Sequence, residues 1–252
     1  MQISGIQTDV KLRDVAANLA SMESIAAEEV KQGSRLIIFP ECFVTGYCFD
    51  SREEALNSAE PLDGPITQTA TALCARLGCY TVFGMLERHR DQLFNAAVLV
   101  GPGGLIGSYR KVHLPFLGVD RFTTHGDRPL QTFDIEGIKL GMLICYDGSF
   151  PEAVRVLALQ GADIVVLPTN WPPGAENMAA YASNTRAMEN GIYFAAVNRV
   201  GTERGFSFIG QSRICDPVGE TVDAANHTNE AVVRATVDPA KSRQKRIVRV
   251  PG

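Results

Sequence analysis

Short, unbroken apolar runs recur along this chain, separated by stretches whose apolar residues fall at helical spacing. Runs such as Leu36-Ile37-Ile38-Phe39 and Ile164-Val165-Val166-Leu167 are too short for buried helices and lack polar alternation. They suit strands covered on both faces. A strand is expected over residues 1–7 and a helix over 15–32, with Leu19, Met22, Ile25, Ala26 and Val30 near helical spacing and Gly33 as its stop. Strands are expected over 35–40, 79–86, 93–100 and 106–112, with a helix over 66–77 ended by Gly78. The clearest strand–helix–strand unit is a strand over 138–145, Ser149 as cap, a helix over 152–160 with Pro151 and Glu152 in its first turn, and a strand over 164–167. A helix over 177–190 and strands over 192–197, 206–215 and 230–237 complete the pattern, the last two joined by a turn at 217–220. Strand–helix–strand near the start and again from Ile138 implies an α/β chain with two sheets packed together and helices outside. No Pro/Ser-rich linker interrupts it, so residues 1–252 are read as one domain.

Charge and composition remove several function classes. The net charge of −4 is spread along the chain, which argues against nucleic-acid binding. The one basic cluster, from Lys241 to Arg249, reads as a solvated tail. The chain shows no basic start followed by an apolar segment, and no apolar run nears the ~20 residues that span a bilayer. Neither a signal peptide nor a membrane partner is expected. None of the cysteines (42, 48, 74, 79, 145 and 215) forms a Cys-x-x-Cys pair, which points to reduced thiols and a cytoplasmic protein. His89, His113, His125 and His227 lack metal-ligand spacing, so no metal and no cofactor is expected.

Three segments carry candidate chemistry. In Leu143-Ile144-Cys145-Tyr146-Asp147 the cysteine stands where an apolar strand turns toward a helix, whose N-terminus lowers a thiol pKa; the alternative is an inert buried cysteine. In Phe39-Pro40-Glu41-Cys42-Phe43 the glutamate sits among apolar residues, where desolvation raises its pKa toward that of a general base; the alternative is an ordinary loop carboxylate. In Tyr109-Arg110-Lys111-Val112-His113-Leu114 the lysine ends a strand and is able to hold a developing oxyanion; the alternative is a solvated strand-end lysine. Of their neighbours, His113 reads as structural support for the lysine loop, and Cys42 as packing.

Together these segments resemble the nitrilase (carbon–nitrogen hydrolase) superfamily, amidase-like branch. The likeness rests on Pro40-Glu41 through Thr45-Gly46-Tyr47, on Tyr109 through Leu114, and on Cys145-Tyr146-Asp147 through Phe150-Pro151-Glu152. It extends to Pro168-Thr169-Asn170-Trp171, Arg186 through Asn190, Asn198-Arg199, Gly210-Gln211-Ser212 and Asp216 through Glu220, nearly the whole chain. The resemblance implies a four-layer αββα sandwich, two mixed β-sheets face to face with helices outside, assembled as a homodimer or larger homo-oligomer through helices near the nucleophile. It also implies a Glu41–Lys111–Cys145 catalytic triad, an oxyanion site completed by the Tyr146 N–H, and substrate contacts from Tyr47, Asn170 and Trp171, the last being equally readable as a buried anchor. The implied reaction is hydrolysis of a small linear carboxamide through a thioester on Cys145. The alternatives are N-carbamoyl hydrolysis, nitrile hydrolysis and, in a different class, a catalytically idle protein that binds a small amide. Relatives often carry a second glutamate after the lysine motif; residues 118–127 contain none, and Asp120 is the carboxylate available to take its place, while His125 stands where proline is usual. The chain also ends at Gly252, before the tail of many relatives.

Overall fold

A computed structural model describes residues 1–245. In chain order the elements are β1 (Gln2–Gln7), α1 (Val15–Lys31), β2 (Leu36–Ile38), α2 (Arg52–Asn57), α3 (Pro65–Leu77), β3 (Tyr80–His89), β4 (Gln92–Gly101) and β5 (Gly104–Arg110). They continue with β6 (Thr132–Ile135), β7 (Ile138–Met142), α4 (Pro151–Leu159), β8 (Ile164–Thr169), α5 (Ser183–Asn190) and β9 (Tyr193–Asn198). The last are β10 (Thr202–Glu203), β11 (Phe206–Ser207), β12 (Arg213–Cys215), β13 (Thr221–Ala224), β14 (Ala231–Thr236) and α6 (Pro239–Arg243). One six-stranded sheet has the order β14-β1-β2-β3-β4-β5 and the other β13-β12-β9-β8-β7-β6. Each is mixed: β1, β2 and β3 run parallel, as do β7, β8 and β9, and the outer strands pair antiparallel.

The doubly apolar strands explain the layering. Leu36 and Ile38 of β2 point into a core shared with Leu140, Met142 and Val166 of the second sheet. Ile37, between them, joins Met22, Ala26, Ile66, Ala70 and Leu73 of the helices on the other side. Alternate side chains leave opposite faces of a strand, so an unbroken apolar run needs a sheet on one side and helices on the other. This is the expected αββα sandwich.

Several local readings change. Phe150, with Pro151 behind it, starts α4, while the Ser149 hydroxyl turns to the Met178 sulfur instead of capping. The expected strand over 138–145 ends at Met142 because Cys145–Ser149 forms a 3-10 turn. β6 was not foreseen; it joins β7 through Glu136 and Gly137, both with positive φ, as a primed hairpin turn demands, although glutamate is an unusual residue there. The expected strand over 206–215 is broken by Gly210 and Gln211, which both take positive φ. The 217–220 turn joins β12 to β13, whereas β14 crosses to the other sheet and pairs with β1. The helix over 177–190 opens with a π-helical turn at Met178–Ala182. Part of the basic segment is not a solvated tail: Arg243 pairs with Asp163 at 2.7 Å, and Lys245 Nζ donates to the carbonyls of Asn190 and Gly191 at the end of α5. Its remainder lies outside the described residues. No described helix is long and apolar enough to cross a membrane.

Candidate active site

Strand ends from the two sheets gather around one buried polar cluster. Glu41 follows β2, Lys111 follows β5, and Asp120 sits in the 3-10 turn Gly118–Arg121; all three are buried. Lys111 Nζ donates to Glu41 Oε1 at 2.7 Å and to Asp120 Oδ2 at 2.5 Å. Asn95, at the centre of β4, donates from its one Nδ2 to Glu41 Oε1 at 2.7 Å and to Asp120 Oδ1 at 2.9 Å. Its amide orientation is fixed by the Cys42 thiol, which donates to Asn95 Oδ1 at 3.5 Å. Tyr47 OH closes the ring by donating to Asp120 Oδ2 at 3.0 Å. Glu41 Oε2 is buried and has no hydrogen-bond partner among the described residues.

Cys145 opens the 3-10 turn after β7 with φ of 47°. A non-glycine residue in the left-handed region is held there only by strong local constraints, and Asp147 supplies them. Its Oδ2 accepts from Ile144 N at 3.1 Å and from Tyr109 OH at 2.9 Å; its Oδ1 accepts from His113 N at 2.9 Å and contacts His113 Nδ1 at 2.7 Å. Tyr109 and His113 flank Lys111 at two residues on either side, so Asp147 ties the cysteine turn to the lysine segment. His113 also stacks on Phe150, with ring centroids 3.8 Å apart. It therefore supports the cysteine turn as well as the lysine loop. Tyr146 is the second residue of the turn, where N–H groups have no partner within the helix, and its side chain is exposed.

The remaining candidates fall into different positions. Asn170 Nδ2 donates to the Glu41 carbonyl at 3.0 Å, and its Oδ1 is buried without a partner among the described residues. Trp171 is buried and pinned through its backbone to Asn198, whose Oδ1 accepts from Trp171 N at 2.9 Å. The Tyr47 hydroxyl is committed to Asp120, which makes it a neighbour of the carboxylate first.

Charge in this cluster is unbalanced: two carboxylates face one ammonium. Burial pushes the Glu41 carboxyl up from 4.5; Lys111 pulls it back, Asp120 adds to the rise, and the net effect is upward. For Lys111, burial works to lower the pKa, but Asp120, Glu41 and Cys145 outweigh it, and the ammonium is held well above 10.5. Burial and the Glu41 charge push the Cys145 thiol up to about 12, against Lys111, the Thr169 hydroxyl and the Asn170 backbone. The resting thiol is therefore protonated, and to act as a nucleophile it would have to give up that proton. A neighbouring base whose own pKa is raised suits that transfer. No group of three or more His, Cys, Asp or Glu among the described residues is arranged to hold a metal ion.

Asn95 and Asp147 were not among the sequence candidates. The signal for Asn95 was a polar residue inside the apolar run Leu93-Phe94-Asn95-Ala96-Ala97-Val98, since a buried amide must find partners. Asn95→Ala is expected to lower kcat about tenfold or more while the protein stays folded, because a buried charge-assisted hydrogen bond is worth roughly 1.5–3 kcal/mol. Steady-state kinetics beside a thermal melt checks this. Gly84 of β3 is a second unforeseen requirement: a Cβ there would stand 2.1 Å from Cys42 N and 2.7 Å from Glu41 Cα. Gly84→Ala is expected to displace the Glu41 backbone, lowering both melting temperature and kcat.

The sequence model of the family described as carbon–nitrogen hydrolase matches residues 2–247. A protein of Pyrococcus abyssi named nitrilase is 38% identical over 248 residues, covering 98% of this chain and 93% of its own. An N-carbamoylputrescine amidase of Solanum lycopersicum is 31% identical over 254 residues, covering 92% and 85%. Among solved structures, a Glu-to-Leu variant of the amidase from Nesterenkonia sp. AN1, carrying the acetamide moiety of fluoroacetamide on its active-site cysteine, superposes with a TM-score of 0.84. It is 26% identical, and the match covers 98% of this chain and 94% of that one.

Proposed function

The chain belongs to the carbon–nitrogen hydrolase family, and on that premise we propose that it cleaves the C–N bond of a small linear carboxamide, releasing ammonia and a carboxylic acid through a thioester on Cys145. The observation that carries this reading is the bare Glu41 Oε2. Lys111 and Asn95 both bind Oε1, so the second oxygen keeps its lone pairs in a buried site, free to take a proton. Glu41 Oε2 accepts the Cys145 proton as sulfur attacks the carbonyl carbon. Lys111 Nζ and the Tyr146 N–H hold the oxyanion. As the C–N bond breaks, the proton passes from Glu41 to the nitrogen, ammonia departs and the thioester remains. Water then gives a proton to Glu41 and attacks the thioester; Cys145 leaves, recovers the proton, and the acid is released. Asp120 holds Lys111 throughout.

The unpartnered oxygens of Glu41 and Asn170 favour a substrate that brings N–H donors. A carboxamide and a carbamoyl group both have them; a nitrile has none. N-carbamoyl hydrolysis is therefore the second reading, supported by the similarity to the carbamoylputrescine amidase. An ammonia-release screen over short amides, carbamoyl amines and nitriles tests both. Release from amides supports the first reading, with carbon dioxide and ammonia together from carbamoyl compounds supporting the second. Silence on every compound would indicate an idle binding protein.

The assembly is read as a homodimer or larger. Leu159 of α4, Met188 of α5 and Val218 are exposed around a cavity of about 540 Å³. Exposed apolar patches of this kind mark interaction surfaces. Leu159→Glu is expected to shift the protein toward monomer in light scattering. The buried free cysteines support a reducing, cytoplasmic setting.

A further inference from the structure

Arg199 and Glu203 form a buried ion pair on the far side of Tyr47 from Asp120. Arg199 is wholly enclosed: Nη1 donates to Glu203 Oε1, Nη2 donates to Asp9 Oδ1 at 2.7 Å and to the Val10 carbonyl at 2.9 Å, and the guanidinium lies over the Phe208 ring at 4.3 Å. The other oxygen of Glu203 accepts two consecutive backbone donors, Tyr47 N at 3.0 Å and Cys48 N at 2.8 Å. Tyr47 is thereby fixed at its backbone. Its ring is boxed as well: a Cβ on Gly118 would stand 2.2 Å from Tyr47 Cε1, and the Phe208 edge packs at 6.3 Å between centroids. Only the hydroxyl remains to be placed, and it reaches Asp120 Oδ2, the oxygen that also accepts from Lys111.

We propose that Glu203, anchored by Arg199, is a positioning residue for the reaction: it sets the Tyr47 backbone so that the Tyr47 hydroxyl holds the Asp120 carboxylate against the Lys111 ammonium. The inference rests on the reading of Glu41, Lys111 and Cys145 as the reacting groups. Stability alone is a poor explanation of the pair, because well-packed apolar residues of similar volume often replace a buried ion pair without loss. A carboxylate is needed for a different reason. Two adjacent N–H groups and a guanidinium all present protons, and a carboxylate, with two acceptor oxygens and no donor, meets all three. Glutamine in its place turns an NH₂ group toward one of these donors. Whether that group faces the two backbone donors or Arg199, donor meets donor and the side chain is pushed from its place; the Tyr47 backbone it holds shifts with it, and Tyr47 OH loses its line to Asp120.

The test is a double-mutant cycle of Glu203→Gln and Tyr47→Phe with two readouts. The first is the rate of Cys145 alkylation by iodoacetamide, followed by intact mass and peptide mapping. The second is kcat and KM for propionamide hydrolysis. Glu203→Gln is expected to change the alkylation rate several-fold and to lower kcat roughly 10- to 100-fold with KM within about twofold, the loss of one well-placed charge-assisted hydrogen bond. In the Tyr47→Phe background it should add little, because the route through the hydroxyl is already cut. Effects that multiply, or a folded Glu203→Gln protein with unchanged alkylation and kcat, overturn the proposal. Where Glu203→Gln fails to fold, Arg199→Lys, which keeps the buried charge, carries the same cycle. A wild-type protein that hydrolyses no amide overturns the reading of function instead, and the alkylation arm still decides the positioning role.

Discussion

Lys111→Ala is expected to lower kcat by about 10³-fold or more. Removing one oxyanion donor from a buried site costs on the order of 10²–10³ by itself. Here the loss reaches further. Among the described residues Lys111 Nζ is the one cation bonded to both Glu41 and Asp120, so its removal leaves two buried carboxylates that share the Asn95 amide and no positive charge. Their mutual repulsion is expected to raise the Glu41 pKa further, which disfavours the carboxylate form that takes the thiol proton in the proposed reaction. Breaking a buried pair by deleting one partner also destabilises, by about 3–5 kcal/mol. Both the turnover number and the melting temperature are therefore expected to fall. A Lys111→Ala protein that keeps more than a tenth of wild-type kcat is incompatible with the lysine's assigned place.

Glu41→Gln is expected to separate chemistry from folding. The amide oxygen can keep the bonds from Lys111 Nζ and Asn95 Nδ2, while an NH₂ group replaces the bare Oε2. That group donates and cannot take a proton. General-base catalysis contributes about 10²–10⁴-fold, and kcat is expected to fall in that range with the protein still folded. The pH dependence follows from the same carboxyl. Its folded pKa lies above the ordinary 4.5, so the acid limb of kcat/KM should also lie above 4.5 in the wild type and vanish in the variant. For stability the sign is opposite. A carboxyl whose folded pKa is raised binds its proton more tightly when folded, so its stabilising contribution is complete below 4.5 and is lost as pH rises through the folded pKa. Glu41→Gln should therefore melt relatively higher at neutral pH than it does at acid pH, each compared with wild type.

Much of this was legible in the sequence because unbroken apolar runs need two covers, and the runs at residues 36–39 and 164–167 forced the layered fold. The segments around Glu41, Lys111 and Cys145 stood out as candidates because reactive residue types stood at strand ends, and it was the likeness to the carbon–nitrogen hydrolases that joined them into one set. What stayed hidden depended on partners distant in sequence. Asp120 differs from the glutamate expected of relatives, and only the Gly118–Arg121 turn shows how the shorter side chain reaches Lys111. Asn95 looked like one polar residue in a strand, and its double donation needs Glu41 and Asp120 in space. Arg199 and Glu203 are four residues apart, yet the backbone they hold lies more than 150 positions away. The broken strand at Gly210 and Gln211, and the Glu136-Gly137 hairpin, were missed because positive φ at a non-glycine residue leaves little trace in composition.

In the reaction proposed above, the acyl group rides on Cys145. Acid quenching during turnover of a slowly hydrolysed amide, followed by intact mass and peptide mapping, should reveal one added acyl group on the peptide containing Cys145, and Cys145→Ala should show neither adduct nor ammonia release. An adduct mapped to Cys42 or elsewhere, or a folded Cys145→Ala protein that still releases ammonia, would contradict it.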